Sequence, residues 1–240
     1  MSLAEEESDG EEVILGSKVV FVGDGGVGKT SLLMAFLNNV FPYDIVPSLQ
    51  ENFTVHHQQE DQKIFLQCFD IAGEEEYTIL RPLSYVGSEI VVMCYSCVNS
   101  NSLYAIEENW YHEIHHYLPN GELIIVATKC DLLDSPRESS IGEIVDKAQG
   151  KAMAEHLGVR FFECSALTGQ GVREVFSNIF ERVYHLKFPY HTAQVQSALE
   201  IETKNKITER KGKVEEKGEK QNRHVRAKTE TTKKKTCCVA

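Results

Sequence analysis

No stretch of this 240-residue chain approaches the roughly 18 to 20 uninterrupted apolar residues that a membrane-crossing helix needs. The first thirty residues also lack a basic segment followed by an apolar core. Neither a membrane span nor a secretory leader is expected, and the chain reads as one made in the cytosol and kept there. Its 7 cysteines are an odd number spread along the whole length. That pattern fits buried thiols and something separate at the end of the chain rather than a disulfide framework. No internal repeat is present. Positive charge is scarce until the end: residues 1–200 hold 12 Lys and Arg against 30 Asp and Glu, whereas residues 201–240 hold 13 against 6. An acidic body disfavours nucleic acid, and a basic, otherwise polar tail points to an anionic membrane surface.

The length suits one good-sized domain with tails. Residues 1–12 are polar and half acidic, with nothing to bury, so they read as a disordered lead-in. Strands are expected over 13–23, 52–58, 63–70, 90–97, 122–128 and 159–164, and helices over 29–38, 102–118, 143–157 and 171–187. The runs at 89–98 and 122–128 are continuously apolar, as in strands covered on both faces. These features predict an α/β fold with a mostly parallel six-stranded sheet and helices on both faces. The domain spans 13–188, and residues 189–240, rich in Lys, Glu and Thr, form a flexible basic tail.

Gly23-Asp24-Gly25-Gly26-Val27-Gly28-Lys29-Thr30 fits the G-x-x-x-x-G-K-[ST] phosphate loop and lies between an expected strand and an expected helix, with Ser31 next in that helix. The glycines let backbone N–H groups turn inward around phosphate oxygens. Lys29 meets the outer phosphates, and Thr30 offers a hydroxyl to Mg²⁺. Thr128-Lys129-Cys130-Asp131, directly after a buried strand, supplies a base selector. A carboxylate at Asp131 accepts from guanine N1 and the exocyclic amine, and leaves adenine badly paired.

With these motifs the chain resembles the Rho/Rac branch of the Ras-like small GTPases over residues 17–187. The likeness rests on GDGGVGKT, the stretch from Phe41-Pro42 through Pro47-Ser48 to Phe53, DIAGEEEY followed by LRPLSY, TKCD, and ECSAL at 163–167. It implies a P-loop NTPase fold that binds GTP and GDP with Mg²⁺. Phe41 would pack on the guanine edge, and Ser165, Ala166 and Leu167 would close over the base. Asp70 would act with Thr30 and Ser48 at the metal, and Gly73 would donate its N–H to the γ-phosphate. Two loops, about 41–53 and 71–85, would be ordered by that phosphate and released on hydrolysis, as in the phosphoryl-transfer scheme for which Ras is a standard example. The implied partners are effectors, exchange factors, GTPase-activating proteins and a GDP-dissociation inhibitor, on a monomer that controls cytoskeleton or membrane traffic.

Several positions depart from the family pattern. Glu74 stands where a Gln usually orients the attacking water. An ionised Glu can only accept a hydrogen bond and adds negative charge beside an anionic transition state, so slow hydrolysis is expected. The alternative is Glu74 as a general base. Gly25 and Gly26 leave room for a water and a partner's arginine. Ser48 keeps a hydroxyl but lacks the methyl of the usual Thr, so the GTP-bound shape should be less fully populated. Ile45 and the Leu49-Gln50-Glu51 sequence predict effectors unlike the familiar Rho ones, and Ile71 replaces a common Thr. The helical insert that Rho proteins carry after the base-reading Asp is reduced to 132–148. A GTP-loaded signalling scaffold with negligible hydrolysis is the alternative function, and an ATP-using P-loop enzyme a further one that Asp131 argues against.

The chain ends Cys237-Cys238-Val239-Ala240, a C-a-a-X box that would be prenylated on Cys237, with a farnesyl group favoured by the final Ala. Lys233, Lys234 and Lys235 lie just upstream. One lipid holds marginally and each nearby Lys adds about 1 kcal/mol against an anionic leaflet, which predicts reversible residence on the cytoplasmic face of the plasma membrane with a cytosolic pool. Two other motifs read as decoys. His112-Glu113-Ile114-His115-His116 matches a zinc-protease pattern but suits a solvated helix face. Cys94 and Cys97, three apart on a strand, would point to opposite faces and read as core thiols, with Cys68, Cys130 and Cys164 as packing or loop thiols.

Overall fold

The computed structural model of the protein describes residues 14–44, 50–59, 62–133 and 143–189. Strands β1 (Ile14–Val22), β2 (Gln50–Gln59), β3 (Gln62–Ile71), β4 (Ile90–Ser96), β5 (Glu122–Thr128) and β6 (Arg160–Glu163) form one sheet. Their order across it is β2-β3-β1-β4-β5-β6. β2 pairs antiparallel with β3, and the other four pairings are parallel. The order reverses around β1, so a crevice opens beyond its C-terminal end, where ligands of such sheets bind.

Helices α1 (Lys29–Asn38), α2 (Arg81–Tyr85), α3 (Ser100–Ala105), α4 (His112–Tyr117), α5 (Lys147–Leu157) and α6 (Val172–Lys187) cover the two faces. Val20, Val22, Met93 and Ile125 form one core with Trp110, Ile114 and Ala154 from the helices. On the other face Phe21 stacks on Phe176 of α6 with ring centres 5.9 Å apart, and Phe176 stacks on Phe36 of α1 at 3.7 Å. α6 earns its place by its spacing: Val172, Val175, Phe176, Ile179, Phe180 and Val183 fall on one stripe, and all are buried. Every residue of β4 is buried, which explains why its sequence shows no in-out alternation.

The structure alters two of the expected helices. The segment expected to be one helix over 102–118 is helical from Ser100 to Tyr117, but Ile106–Tyr111 winds as a π-helix between α3 and α4. The helix expected from residue 143 starts at Lys147 instead. Asp146 accepts from the Gln149 backbone N–H at 2.9 Å, and the Gln149 side chain accepts from the Asp146 N–H at 2.9 Å, a reciprocal cap that fixes the boundary. A 3₁₀ turn over Cys130–Leu132 leads into the expected insert, whose part around Ser135 and Pro136 lies outside the described residues. The acidic lead-in, Ile45, Ser48, Leu49 and the tail with Cys237 also lie outside them. The described residues belong almost wholly to the unit that spans 1–187.

Candidate nucleotide site

The loop after β1 turns back on itself because three glycines adopt positive φ: Gly23 at 138°, Gly26 at 71° and Gly28 at 110°. Side chains rarely follow there, which is why this turn is written in glycine. The next residue, Lys29, is buried at the start of α1, and its Nζ donates to the main-chain oxygens of Gly23 at 2.7 Å and Asp24 at 3.0 Å. Burial lowers its pKa, opposed by the nearby Asp70, Glu74 and Asp24 carboxylates and the Cys94 thiol. A buried ammonium that bonds its own loop is a ready partner for a polyanion. Thr30 donates its hydroxyl to Asp70 Oδ2 at the C-terminal end of β3. Asp70 is 5% exposed, and its Oδ1 is buried without a hydrogen-bond partner among the described residues. Burial raises the Asp70 pKa, with Thr30 and Lys29 pulling it back down. An orphaned carboxylate oxygen beside a threonine hydroxyl is a donor set that fits Mg²⁺.

These residues line a cavity of about 400 Å³ with Gly25, Gly26, Gly28, Ser31, Phe41, Gly73 and Glu74. Gly73 lies so close to the glycine loop that a Cβ on it would sit 2.2 Å from the Gly23 carbonyl oxygen. The Gly73 backbone therefore packs directly against the loop. Glu74 is exposed, and its carboxylate overhangs the loop, with Oε1 3.3 Å from where a Gly25 Cβ would be. Nothing lies within 4 Å of the corresponding point on Gly26, so the loop is open to solvent there.

A second, more apolar cavity of about 170 Å³ adjoins the first and shares Gly28, Ser31, Phe41 and Lys129 with it. Asp131, Thr128, Cys164, Ala166 and Leu167, with Leu32 and Leu132, complete its lining. Asp131 Oδ1 accepts from Ser165 Oγ at 2.6 Å, and Ser165 Oγ in turn accepts from the Thr168 N–H at 3.1 Å. Ser165 is fully buried. Thr128 Oγ1 reaches the carbonyl oxygens of Val27 and Tyr95, and Lys129 Nζ donates to the Gly26 carbonyl at 2.7 Å. The T-K-C-D segment is thus laced to the glycine loop, and Lys129 takes a left-handed φ of 58° to make the turn. An apolar cavity with one fixed carboxylate in its lining suits a heterocycle carrying two adjacent donors.

Sequence reasoning missed a group that braces this site from behind. Trp110, in the π-helical turn, donates its indole N–H to Asp24 Oδ1 at 2.8 Å. The Arg81 guanidinium lies over the Trp110 ring, 4.6 Å from its centre. Arg81 forks onto Glu113, with Nε to Oε1 at 3.1 Å and Nη2 to Oε2 at 2.9 Å, and Nη1 donates to the Glu74 main-chain oxygen at 3.3 Å. Tyr85 donates its hydroxyl to Glu113 Oε1 at 2.5 Å. The phosphate loop and the Glu74 peptide are therefore held by one continuous chain of contacts. The only sequence signals were the Arg in LRPLSY and a Trp among helical residues.

The zinc-protease pattern does not gather its members. His112, His115 and His116 are exposed, Tyr111 stacks on His115, and Glu113 is bound to Arg81 and Tyr85. Among the described residues no group of three His, Cys, Asp or Glu could hold a metal ion. Cys94 and Cys97 are both buried, but β4 ends at Ser96, so Cys97 sits in the following turn. Its sulfur lies 2.9 Å from that of Cys130.

The Ras family profile matches residues 18–185. The chain is 40% identical over 170 residues to the Rho-related protein racE of Dictyostelium discoideum, an alignment that covers 69% of this chain and 76% of that protein. With the sheet order and the glycine cradle, these matches place the chain in the Ras family, as a Rho-like small GTPase.

Proposed function

We propose that this protein binds GTP and GDP in the paired cavities, hydrolyses GTP slowly, and signals by the shapes of the segments around 41–53 and 71–85. The observation that carries the reading is the meeting of Lys29, Thr30, the orphaned Asp70 Oδ1 and Gly73 around one cavity, with Asp131 fixed at the end of the next. Thr30 and Asp70, with Ser48, would hold Mg²⁺, which would supply charge neutralisation at the phosphates. The N–H groups from Gly25 to Ser31 and the Lys29 ammonium clamp the phosphates, and the Gly73 N–H meets the outermost one. Phe41, Ala166 and Leu167 flank the base, while Asp131 selects guanine.

Glu74 sets the rate. Its carboxylate overhangs Gly25 and can accept a proton-bearing water, but it has no donor for the phosphoryl oxygens. The Glu74→Gln variant restores one such donor, and single-turnover hydrolysis should rise about 10-fold or more. An unchanged rate, at a level ordinary for the family, would overturn the assignment. No hydrolysis at all in the parent chain would favour the GTP-loaded scaffold. The tail supplies a reversible anchor through Cys237 and the lysines before it, so that effectors, exchange factors and GTPase-activating proteins meet the protein at a membrane.

A further inference from the structure

Asp24 lies at a junction of the phosphate loop. Its main-chain oxygen accepts from Lys29 Nζ at 3.0 Å and from the Val27 N–H at 3.4 Å. A Cβ on Gly73 would fall 2.6 Å from the Asp24 carbonyl carbon and 2.7 Å from the Gly25 nitrogen. One planar peptide unit, Asp24-Gly25, therefore touches both the buried ammonium and the Gly73 backbone. The loop beyond it has little stiffness of its own, since Gly25 and Gly26 are exposed and carry no side chain to pack. What holds Asp24 comes from elsewhere in the fold: its Oδ1 accepts the Trp110 indole N–H at 2.8 Å, across 86 residues of chain. We propose that Trp110 is a positioning residue for the phosphate loop: its indole N–H holds Asp24, and through Asp24 the loop peptides, in the arrangement that retains guanine nucleotide. The proposal rests on the reading of the paired cavities as one nucleotide site, and Trp110 lines neither of them.

Trp110 is placed to hold as well as to fill. Its ring is 3% exposed and packs in the core with Val22, Tyr85, Ile106 and Ile114, so the N–H points in one fixed direction. A phenylalanine would bury a similar apolar body. The indole adds a donor, which is costly to bury unless it finds an acceptor. The acceptor here is a carboxylate, and a bond to a charged partner is stronger than one between neutral groups. Trp110 also falls within Ile106–Tyr111, where the helical run from Ser100 to Tyr117 leaves α geometry for a π turn, a distortion found most often at functional sites.

The same support reaches the second loop of the site. Arg81, which lies over the Trp110 ring, donates to the Glu74 main-chain oxygen at 3.3 Å, one residue after Gly73. Losing the indole N–H would leave the Asp24 carboxylate without this partner and let the Asp24-Gly25 peptide turn. The main-chain oxygen that Lys29 bonds would move with it, and the grip on the phosphates would weaken.

The test follows release of fluorescent GDP from the full chain with Mg²⁺. Trp110→Phe keeps an aromatic body in the core and removes the donor, and should quicken release about fivefold or more. Asp24→Ala should quicken it as much, whereas Asp24→Asn, which keeps an acceptor oxygen, should stay close to the parent. Adding Trp110→Phe to Asp24→Ala should change nothing further, because the two act through one bond. Ile114→Val, in the same core but with no polar group to offer the loop, should lower Tm and leave release within about twofold of the parent. Release from Trp110→Phe at the parent's rate, or additive effects of Trp110→Phe and Asp24→Ala, would overturn the proposal. If Trp110→Phe does not fold, the contrast between Asp24→Ala and Asp24→Asn decides alone, and equal release by those two would overturn it. Failure of the parent to load GDP would refute the nucleotide reading. Amide hydrogen exchange over residues 23–30 then decides the positioning: faster exchange in Trp110→Phe than in the parent supports it, and equal exchange overturns it.

Discussion

The brace between α2 and the phosphate loop makes Arg81→Ala the most informative change outside the cavities. Arg81 is 8% and Glu113 16% exposed, and the two are joined by a forked pair of charge-assisted hydrogen bonds. Removing one partner of a buried pair leaves the other charge stranded, at a cost of about 3 to 5 kcal/mol. Residual solvent at Glu113 argues for the lower end, and the lost stacking on Trp110 adds something under about 1 kcal/mol. About 3 kcal/mol is the expected loss, which for a domain of this size lowers Tm by roughly 6 to 12 °C. The assay is thermal or urea unfolding of the GDP-loaded protein, run as a double-mutant cycle with Glu113→Gln. A coupling of about 1 to 3 kcal/mol between the two positions should emerge. Lys147, whose bond to Glu163 is made by a side chain 71% exposed, is the control, and Lys147→Ala should change stability by less than about 0.5 kcal/mol. If Arg81→Ala moved Tm no more than Lys147→Ala and the cycle showed no coupling, the brace would be a contact without consequence.

Asp70→Asn should raise the stability of protein held in chelator, because it removes a buried carboxylate with an unmet oxygen. The folded-state pKa of Asp70 is raised, so its charge costs stability above that value and costs nothing once it is protonated. The advantage of the Asn variant is therefore greatest near neutral pH and vanishes as pH falls through the raised pKa toward 3.8; an advantage that grew on acidification would refute the sign. Added Mg²⁺ should stabilise the parent but not the variant. Cys237→Ser should move the protein from the membrane to the soluble fraction of cells, and persistent sedimentation with membranes would refute the anchor.

The parts of the site that were legible in sequence are those written contiguously. The glycine loop and T-K-C-D each place their groups within eight residues, directly after a strand, and residues of both line the paired cavities. Asp70 and Gly73 were reached only through the family likeness, since D-x-x-G is too short to stand alone. The sheet was readable because β4 and β5 are unbroken apolar runs. The brace was not, since Asp24 and Trp110 lie 86 residues apart and Arg81 and Glu113 lie 32 apart. Each, taken singly, resembles a solvated polar residue or a core aromatic. Glu113 was read inside a metal-binding pattern, although its partners come from another helix. The π turn was invisible because the pattern of Ile106, Trp110 and Ile114 suits a continuous helix. The Cys97 contact was missed because one residue of strand length decided which way its sulfur points.

The central claim is that the slot ending at Asp131 takes guanine, and competition binding tests it directly. GDP bound to the full chain with Mg²⁺ should be displaced by unlabelled GTP but not by a 100-fold excess of ATP, a discrimination of roughly the size that unpaired buried donors impose. Asp131→Ala should retain the fold and lose most of that preference. Displacement by ATP at concentrations comparable to GTP, or a preference left intact by Asp131→Ala, would contradict the account.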